Sequence, residues 1–375
     1  MRMLKIVRAA TVPQSLNAFC KGLLRELNEV YEVVAVSSPG EEMRDIAERE
    51  GVRTVGVAME RHMSPWKDLR SLWSMVRVFR EERPHMVHSM TPKAGLICMM
   101  AAWLVRVPVR VHTFTGLVWP TATGMKRRIL MLTDWLTCAC ATHIVPEGEG
   151  VKADLLNHHI TRKPLEVLGH GNVRGIDLDY YYHATSEEKD NDLFTFVFVG
   201  RIVRDKGMHE LAEAMRRLAG RCRLILVGDL EQDLDPIDEA DKAFFETCPH
   251  IDMVGAQADV RPFYARAHAL VFPSYREGFP NVVLEAGAMG LPGIVTNING
   301  SREIIIDGKN GVVVEPANAQ ALYEAMLRWI EHPAEAHAMA RQARPLIASR
   351  FEQGYVRHCL KTFYHHILNR PMDMS

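Results

Sequence analysis

Short apolar runs alternate with amphipathic stretches of helical period, and the alternation occurs twice along the chain. In the first half Leu4–Val7, Tyr31–Val36, Arg53–Val57, Met86–Ser89, Val109–Thr113 and His143–Val145 read as strands. Between them Leu16–Leu27, Glu42–Glu50, Leu69–Glu82, Pro92–Leu104 and Met125–Cys138 read as helices. Strands separated by whole helices cannot pair through hairpins, so they must lie parallel with the helices as crossovers. Gly169, Gly171 and Gly175, with the acidic and aromatic GIDLDYYYH, interrupt the pattern. It restarts with strands at Phe194–Val199, Leu224–Val227, Ile251–Val254, Ala269–Phe272, Gly293–Thr296 and Val312–Val314. The helices of this half are Met208–Leu218, Ile237–Phe245, Val260–Ala267, Pro280–Ala288, the short Ser301–Ile306, Ala319–Ile330 and Ala334–Ala348.

A chain of 375 residues is too long for one ordinary domain. The pattern therefore predicts an α/β fold of two Rossmann-like, doubly wound parallel-sheet domains facing a cleft that binds a ligand. The expected bounds are 1–168 for the first domain, 169–190 for a linker, 191–350 for the second domain and 351–375 for a C-terminal helix. That helix is amphipathic, with Tyr355, Cys359, Leu360 and Phe363 on one side, and is expected to return toward the first domain.

The net charge of −1 hides an asymmetry: Met1–His183 carries 24 Lys and Arg against 19 Asp and Glu, and the excess is acidic in the remainder. The basic half is the one suited to an anionic partner. Seven scattered cysteines without a C-x-x-C pair fit a reducing cytoplasm. Lys5 and Arg8 within and after the first apolar run make it a strand and not a signal peptide. The longest apolar run, Ala94–Val105, has 12 residues, short of the roughly 20 that span a bilayer. A neutral chain with no recognised binding module is not expected to bind nucleic acid.

The stretch Val271–Met289, VFPSYREGFPNVVLEAGAM, reads as strand, loop and helix, the corner at which open α/β sheets bind ligands. Glu277 stands in the loop and Glu285 in the helix. Two carboxylates could be a glycosidase acid and nucleophile, yet a loop Glu277 can face a sugar while Glu285 is placed to accept hydrogen bonds from a diol. Upstream, Gly200, Arg201 and Lys206 follow a strand end as G-R-x(4)-K, a planar fork and an ammonium suited to one phosphate site. Alone, an Arg and a Lys in a loop are more often solvated cations. His112 ends the strand VRVH, a position where a lone histidine is more often structural.

The segments VFVGRIVRDKG and VFPSYREGFPNVVLEAGAMGLPGIVTNINGSREIIIDGKNGVVV resemble the retaining nucleotide-sugar glycosyltransferases of the GT-B fold, family 4. VHSMTPKAG and VHTFTGLV resemble the bacterial surface-polysaccharide branch of that family. The resemblance implies a donor site in which Arg201 and Lys206 hold the pyrophosphate, Glu277 the sugar hydroxyls and Glu285 the ribose. Backbone N–H groups of Gly278, Phe279 and Asn281 complete the cradle, and His112 contacts the sugar near the reacting carbon. The implied activity is transfer from a nucleotide diphosphate sugar, UDP-linked, to a lipid-linked saccharide with retention, by front-face attack in which the leaving phosphate takes the acceptor proton. A nucleotide-sugar epimerase of similar shape and a non-catalytic nucleotide-sugar-binding protein are the rival readings. A dehydrogenase is disfavoured because no G-x-G-x-x-G follows the first strand.

No metal or other cofactor is expected, since Arg201 and Lys206 supply the positive charge a Mg²⁺ ion would bring. Asp177 and Asp179, and Asp233 and Asp235, match D-x-D only as acidic loops, and the adjacent pairs His158–His159 and His365–His366 make poor ligand sets. Where many members carry adjacent glycines after the first strand, this chain has Thr11–Leu16, in which Ser15 can cap the next helix. That loop lies against donor or acceptor; the acceptor contacts assigned are Ser15 and Thr115. The segment Arg61–Arg83 interleaves arginines with Trp66, Trp73 and Phe79, and Met125–Arg128 adds a second basic cluster. Such a surface could rest on an anionic membrane at the inner face of the plasma membrane. Equally, it could be an ordinary helix with Trp73 packed inward and its arginines in solvent.

Overall fold

In the computed structural model, which describes residues 3–60, 64–182, 193–231 and 235–369, the chain forms two compact units, Met1–Gly175 with Gly354–Ser375, and Ile176–Gln353. The first unit contains β1 (Lys5–Ala9), α1 (Pro13–Cys20), α2 (Leu23–Asn28), β2 (Glu32–Ser37), α3 (Glu42–Glu50), β3 (Arg53–Gly56) and α4 (Pro65–Glu82). It continues through β4 (Met86–Met90), α5 (Pro92–Leu104), β5 (Val109–Phe114), α6 (Gly124–Cys140), β6 (His143–Pro146) and α7 (Glu149–Asn157). The second unit contains β7 (Phe194–Val199), the 3-10 turn Arg204–Lys206, α8 (Met208–Leu218), β8 (Cys222–Val227), α9 (Glu239–Thr247), β9 (Ile251–Gly255) and α10 (Arg261–Arg266). It ends with β10 (Ala269–Phe272), α11 (Asn281–Ala288), β11 (Gly293–Thr296), α12 (Ser301–Ile304), β12 (Gly311–Val314), α13 (Ala319–Glu331) and α14 (Pro333–Phe351); α15 (Gln353–Asn369) closes the chain.

Among the described residues each unit has one six-stranded sheet, ordered β3-β2-β1-β4-β5-β6 and β12-β11-β10-β7-β8-β9. Every strand pair is parallel. The two orders are the same once each sheet is counted from its own first strand. Both are the doubly wound arrangement, in which the winding reverses between the first and fourth strands, and the ends of those two strands open a crevice. Central strands such as Met86–Met90 and Phe194–Val199 are buried on both sides because helices cover both faces of the sheet.

In the first unit α1, α2, α3 and α15 pack on one face of the sheet and α4, α5, α6 and α7 on the other. The C-terminal helix thus packs in the first unit, but through Val356, Leu360, Phe363, Tyr364 and Ile367. Tyr355 and Cys359, expected on the packing side, are only partly covered, because the buried stripe lies one residue further along. The helix expected over Leu16–Leu27 is broken at Lys21–Gly22, where the Arg357 guanidinium donates to Lys21 O at 2.7 Å and pairs with Glu26 at 2.5 Å. Ser15 does not cap α1: Val12 is the N-cap and Pro13 the first helical residue, so Ser15 lies inside the first turn. Helix α7 has no counterpart among the expected elements. Arg61, His183 and Asp233, which entered the sequence argument, lie outside the described residues.

Candidate functional site

The reversal point of the second sheet lies between β7 and β10. Beyond β7 the chain passes Gly200 and Arg201 and makes the 3-10 turn that ends at Lys206. Gly207, at φ 71°, then turns it into α8. A Cβ at Gly207 would lie 2.1 Å from the carbonyl oxygen of Pro273 in the loop after β10, so the two loops touch backbone to backbone at this point.

That contact sets the central pair. The Lys206 ammonium makes a short ion pair with Glu277 Oε1 and stands 5.4 Å from the centre of the Phe272 ring. Ser274, fully buried, donates its hydroxyl to the same carboxylate oxygen at 3.0 Å. The Lys206 and Glu277 side chains are 16% and 17% exposed, so the pair is mostly shielded yet reachable from solvent. A largely shielded pair of this kind is a poor stabiliser, because desolvation offsets much of the Coulomb gain.

Neighbouring bonds hold the loop in place. Asp205 pairs with the Arg276 guanidinium at 2.8 Å, its carbonyl accepts Tyr275 N–H at 2.8 Å, and its own N–H donates to Asp235 Oδ2 at 2.6 Å. The Tyr275 hydroxyl donates to Glu210 at 2.6 Å, and burial together with that carboxylate raises its phenol. Thr296 donates to the carbonyl of Ser274 from the end of β11. The following β11–α12 loop is equally close: a Cβ at Gly300 would lie 2.4 Å from Gly278 O and 2.7 Å from Phe279 Cα.

Pro280 caps α11, whose positive dipole end faces this loop. The Phe279 ring packs against Phe351 at 5.4 Å, on the buried side of the loop. Glu285, in the second turn of α11, is 8% exposed, and its Oε2 accepts the Tyr264 hydroxyl at 3.4 Å. Burial first, and then the Glu285 charge, raise the Tyr264 phenol well above its usual value. Arg201 does not join Lys206 at the central pair; its exposed guanidinium pairs with Glu231 at 2.9 Å. Asn281 begins α11.

In the first unit His112 lies near the end of β5 as the sequence indicated, and is fully buried. Its Nδ1 shares a hydrogen bond with Ser89 Oγ at 2.9 Å. A Cβ at Gly95 would come within 2.4 Å of its ring. Burial lowers its pKa to about 3, so it is a neutral imidazole at any physiological pH. Thr115 follows β5 and is partly exposed. Ser274, Asp205 and Arg276 were missed by sequence reasoning. The signal available for Ser274 was a hydroxyl three residues before Glu277 in a loop with little else able to support a carboxylate.

Of the D-x-D candidates, Asp177 accepts the backbone N–H groups of Asp179 and Tyr180 at 3.0 Å and so forms a turn. Among the described residues His209, Asp238 and Asp241 bring three possible ligand atoms within 4.8 Å of one another. The carboxylate oxygens of Asp241 are already held by His209 and Arg216, each at 2.8 Å, and that arginine disfavours a cation.

Residues 16–171 match the glycosyl transferase 4-like domain and residues 183–345 the glycosyl transferases group 1. Over 98% of both chains the protein is 31% identical to the capsular polysaccharide biosynthesis glycosyltransferase CapM of Staphylococcus aureus. The chain belongs to the group 1 glycosyltransferases. It is also 26% identical, over 72% of both chains, to the UDP-Gal:alpha-D-GlcNAc-diphosphoundecaprenol alpha-1,3-galactosyltransferase of Escherichia coli. The crystal structure of Anabaena Alr3699/HepE in complex with UDP and glucose superposes with a TM-score of 0.80 at 17% identity, covering 97% of this chain and all of that one. This glycosyltransferase therefore has the GT-B fold, two Rossmann-like domains with parallel sheets.

Proposed function

We propose that this glycosyltransferase moves a sugar from a UDP-sugar to a lipid-linked saccharide with retention of configuration, without a metal ion, in surface polysaccharide synthesis on the inner face of the plasma membrane. The observation that carries the donor half is the Lys206–Glu277 pair at the reversal point of the second sheet, beside the start of α11. A diphosphate entering there meets an ammonium and a helix dipole. The ammonium, released from Glu277, follows the charge that grows on the leaving oxygen, and Glu277 turns to the sugar hydroxyls. Arg201 leaves Glu231 for the phosphates, which an exposed surface pair allows at little cost. Glu285 receives the ribose hydroxyls. The bond from the anomeric carbon to the diphosphate oxygen breaks, the acceptor oxygen bonds to the same face, and the acceptor proton passes to the departing diphosphate.

His112 serves in this reading as a neutral hydrogen-bonding group and not as a base, consistent with its lowered pKa. Support for the acceptor comes from the Escherichia coli relative, a galactosyltransferase acting on GlcNAc-diphosphoundecaprenol, and for the donor from the UDP in the Anabaena structure. Calorimetric titration with a panel of nucleotide sugars tests the donor reading. Binding of a UDP-sugar that Glu277→Ala weakens supports it; binding of none, with activity on any acceptor unchanged in Glu277→Ala, refutes it. Conversion of the donor with no acceptor present would favour an epimerase instead.

A further inference from the structure

We infer that the outward face of α4, α5 and α6 is a docking surface for an anionic lipid bilayer. The three helices lie side by side, α5 packing against both neighbours, on one face of the first sheet. Helix α6 is apolar on two sides. Leu130, Met131 and Cys138 pack on the core beside the buried Asp134 and Thr137, while Met125, Ile129, Leu132 and Trp135, spaced as one stripe, are exposed. Asp134 is held inside by the indole N–H of Trp119 at 3.1 Å. On α4 the exposed Trp66, Leu69 and Trp73 form a second stripe, and Trp103 and Leu104 continue the apolar surface at the end of α5.

Of the six tryptophans in the chain, the four on this layer, Trp66, Trp73, Trp103 and Trp135, are 49–85% exposed, whereas Trp119 and Trp329 are fully buried. Large apolar side chains exposed together on three neighbouring helices of a folded chain mark an interaction site. Its chemistry specifies the occupant. Exposed Arg70 and Arg80 flank the tryptophans of α4, Lys126 and Arg128 flank the stripe of α6, and Arg106 follows Trp103 and Leu104. The acidic residues of α4 are held by cations: Asp68 by Lys93 at 2.6 Å, Glu81 by Arg77 at 2.9 Å and Glu82 by Lys5 at 3.0 Å. Indole rings beside lysines and arginines match the headgroup boundary of an anionic membrane, where the ring enters the acyl edge and the cations meet phosphates. A second copy docked face to face would set these cations against one another. No helix among the described residues is long and apolar enough to cross a membrane, so the layer lies on the surface.

The inference deepens the lipid-linked acceptor reading and rests on it for its purpose, which is to hold the enzyme where such an acceptor resides. Sedimentation with phosphatidylcholine vesicles, with and without phosphatidylglycerol, tests it. The protein should bind the anionic vesicles with a blue shift of tryptophan emission. The triple variant Trp66→Ser, Trp73→Ser, Trp135→Ser, in which only exposed side chains change, should abolish the shift and most of the binding. Arg70→Glu with Arg128→Glu should weaken binding roughly tenfold or more on anionic vesicles only. UDP-sugar binding should be unchanged in both. Absence of vesicle binding by the unaltered protein, equal binding by the triple variant, or a dimer without vesicles that the triple variant converts to monomer would each overturn the inference. If vesicles are bound through these residues but no lipid-linked saccharide is ever extended, the docking surface stands and the acceptor reading falls.

Discussion

Substituting Gly207 by alanine tests whether contact between the two loops sets the proposed donor site. Gly207 sits at φ 71°, where an L-residue is strained by about 1–2 kcal/mol. Its new methyl would lie 2.1 Å from Pro273 O, against an ordinary contact of 3.4 Å or more, so the loops must part by about 1 Å. Lys206 immediately precedes this residue, and Ser274 and Glu277 follow Pro273, so the displacement falls directly on the central pair. A misplacement of about 1 Å costs roughly 10²-fold in rate. Gly255→Ala is the matched control, since Gly255 has φ 69° with nothing within 4 Å of a Cβ, and it carries the backbone strain without the collision. Thermal unfolding and glycosyl transfer would be measured for both variants. Both should lose a few degrees of Tm, and Gly207→Ala alone should lose about two orders of magnitude in kcat/KM. Equal transfer rates in the two variants would show that the contact does not set the site.

Three further outcomes follow from the geometry. Lys206→Ala should lower kcat by roughly 10²-fold, the loss of about 3 kcal/mol of charge stabilisation, and steady-state kinetics with saturating donor would read it. Stability should respond to pH through two buried groups of opposite sign. The unfolded chain protonates His112 near its ordinary pKa of 6.5 while the folded chain resists until about 3, so its contribution is complete above 6.5 and is lost as pH falls, by at most about 5 kcal/mol. Burial raises Asp134 from 3.8 to about 7, so the folded chain keeps a proton the unfolded chain releases, and that contribution, at most about 4 kcal/mol, is lost as pH rises from 3.8 to 7. Urea titrations across this range should show Asp134→Asn removing the second trend and leaving the first; persistence of a fall toward pH 7 in that variant would contradict the assignment.

The β7–Lys206 and β10–α11 segments were legible in sequence because their strands are buried on both faces and so read as unbroken apolar runs, with glycine and proline marking the loops between. Lys206 and Glu277 were legible as charges in those loops, and the parallel sheet brings the two loops together. What stayed hidden depends on orientation. Helix periodicity in Met125–Cys138 does not single out one side, because α6 carries apolar residues on both: Leu130, Met131 and Cys138 inward with Asp134 and Thr137, and Met125, Ile129, Leu132 and Trp135 outward. The same ambiguity placed Tyr355 and Cys359 on the packing side of α15. On α4, where inward and outward positions for Trp73 were both open, the structure leaves it 58% exposed, because Met75, Val76 and Phe79 already fill the inner side. Arg201 was grouped with Lys206 by spacing, yet each found a different carboxylate, Glu231 and Glu277. The break at Lys21–Gly22 needed Arg357, which is distant in sequence.

The proposed function is tested most directly by counting UDP released against saccharide extended. The protein would be incubated with a UDP-sugar and a polyprenyl-diphosphate-linked saccharide in vesicles, the nucleotide assayed and the lipid product analysed by mass spectrometry and by the NMR coupling of its new anomeric proton. One UDP should be released per sugar added, only with both substrates present and without added metal, the new linkage should keep the donor's anomeric configuration, and Glu277→Ala should abolish both signals. UDP release that proceeds without any extended lipid, or extension that Glu277→Ala leaves intact, would contradict it.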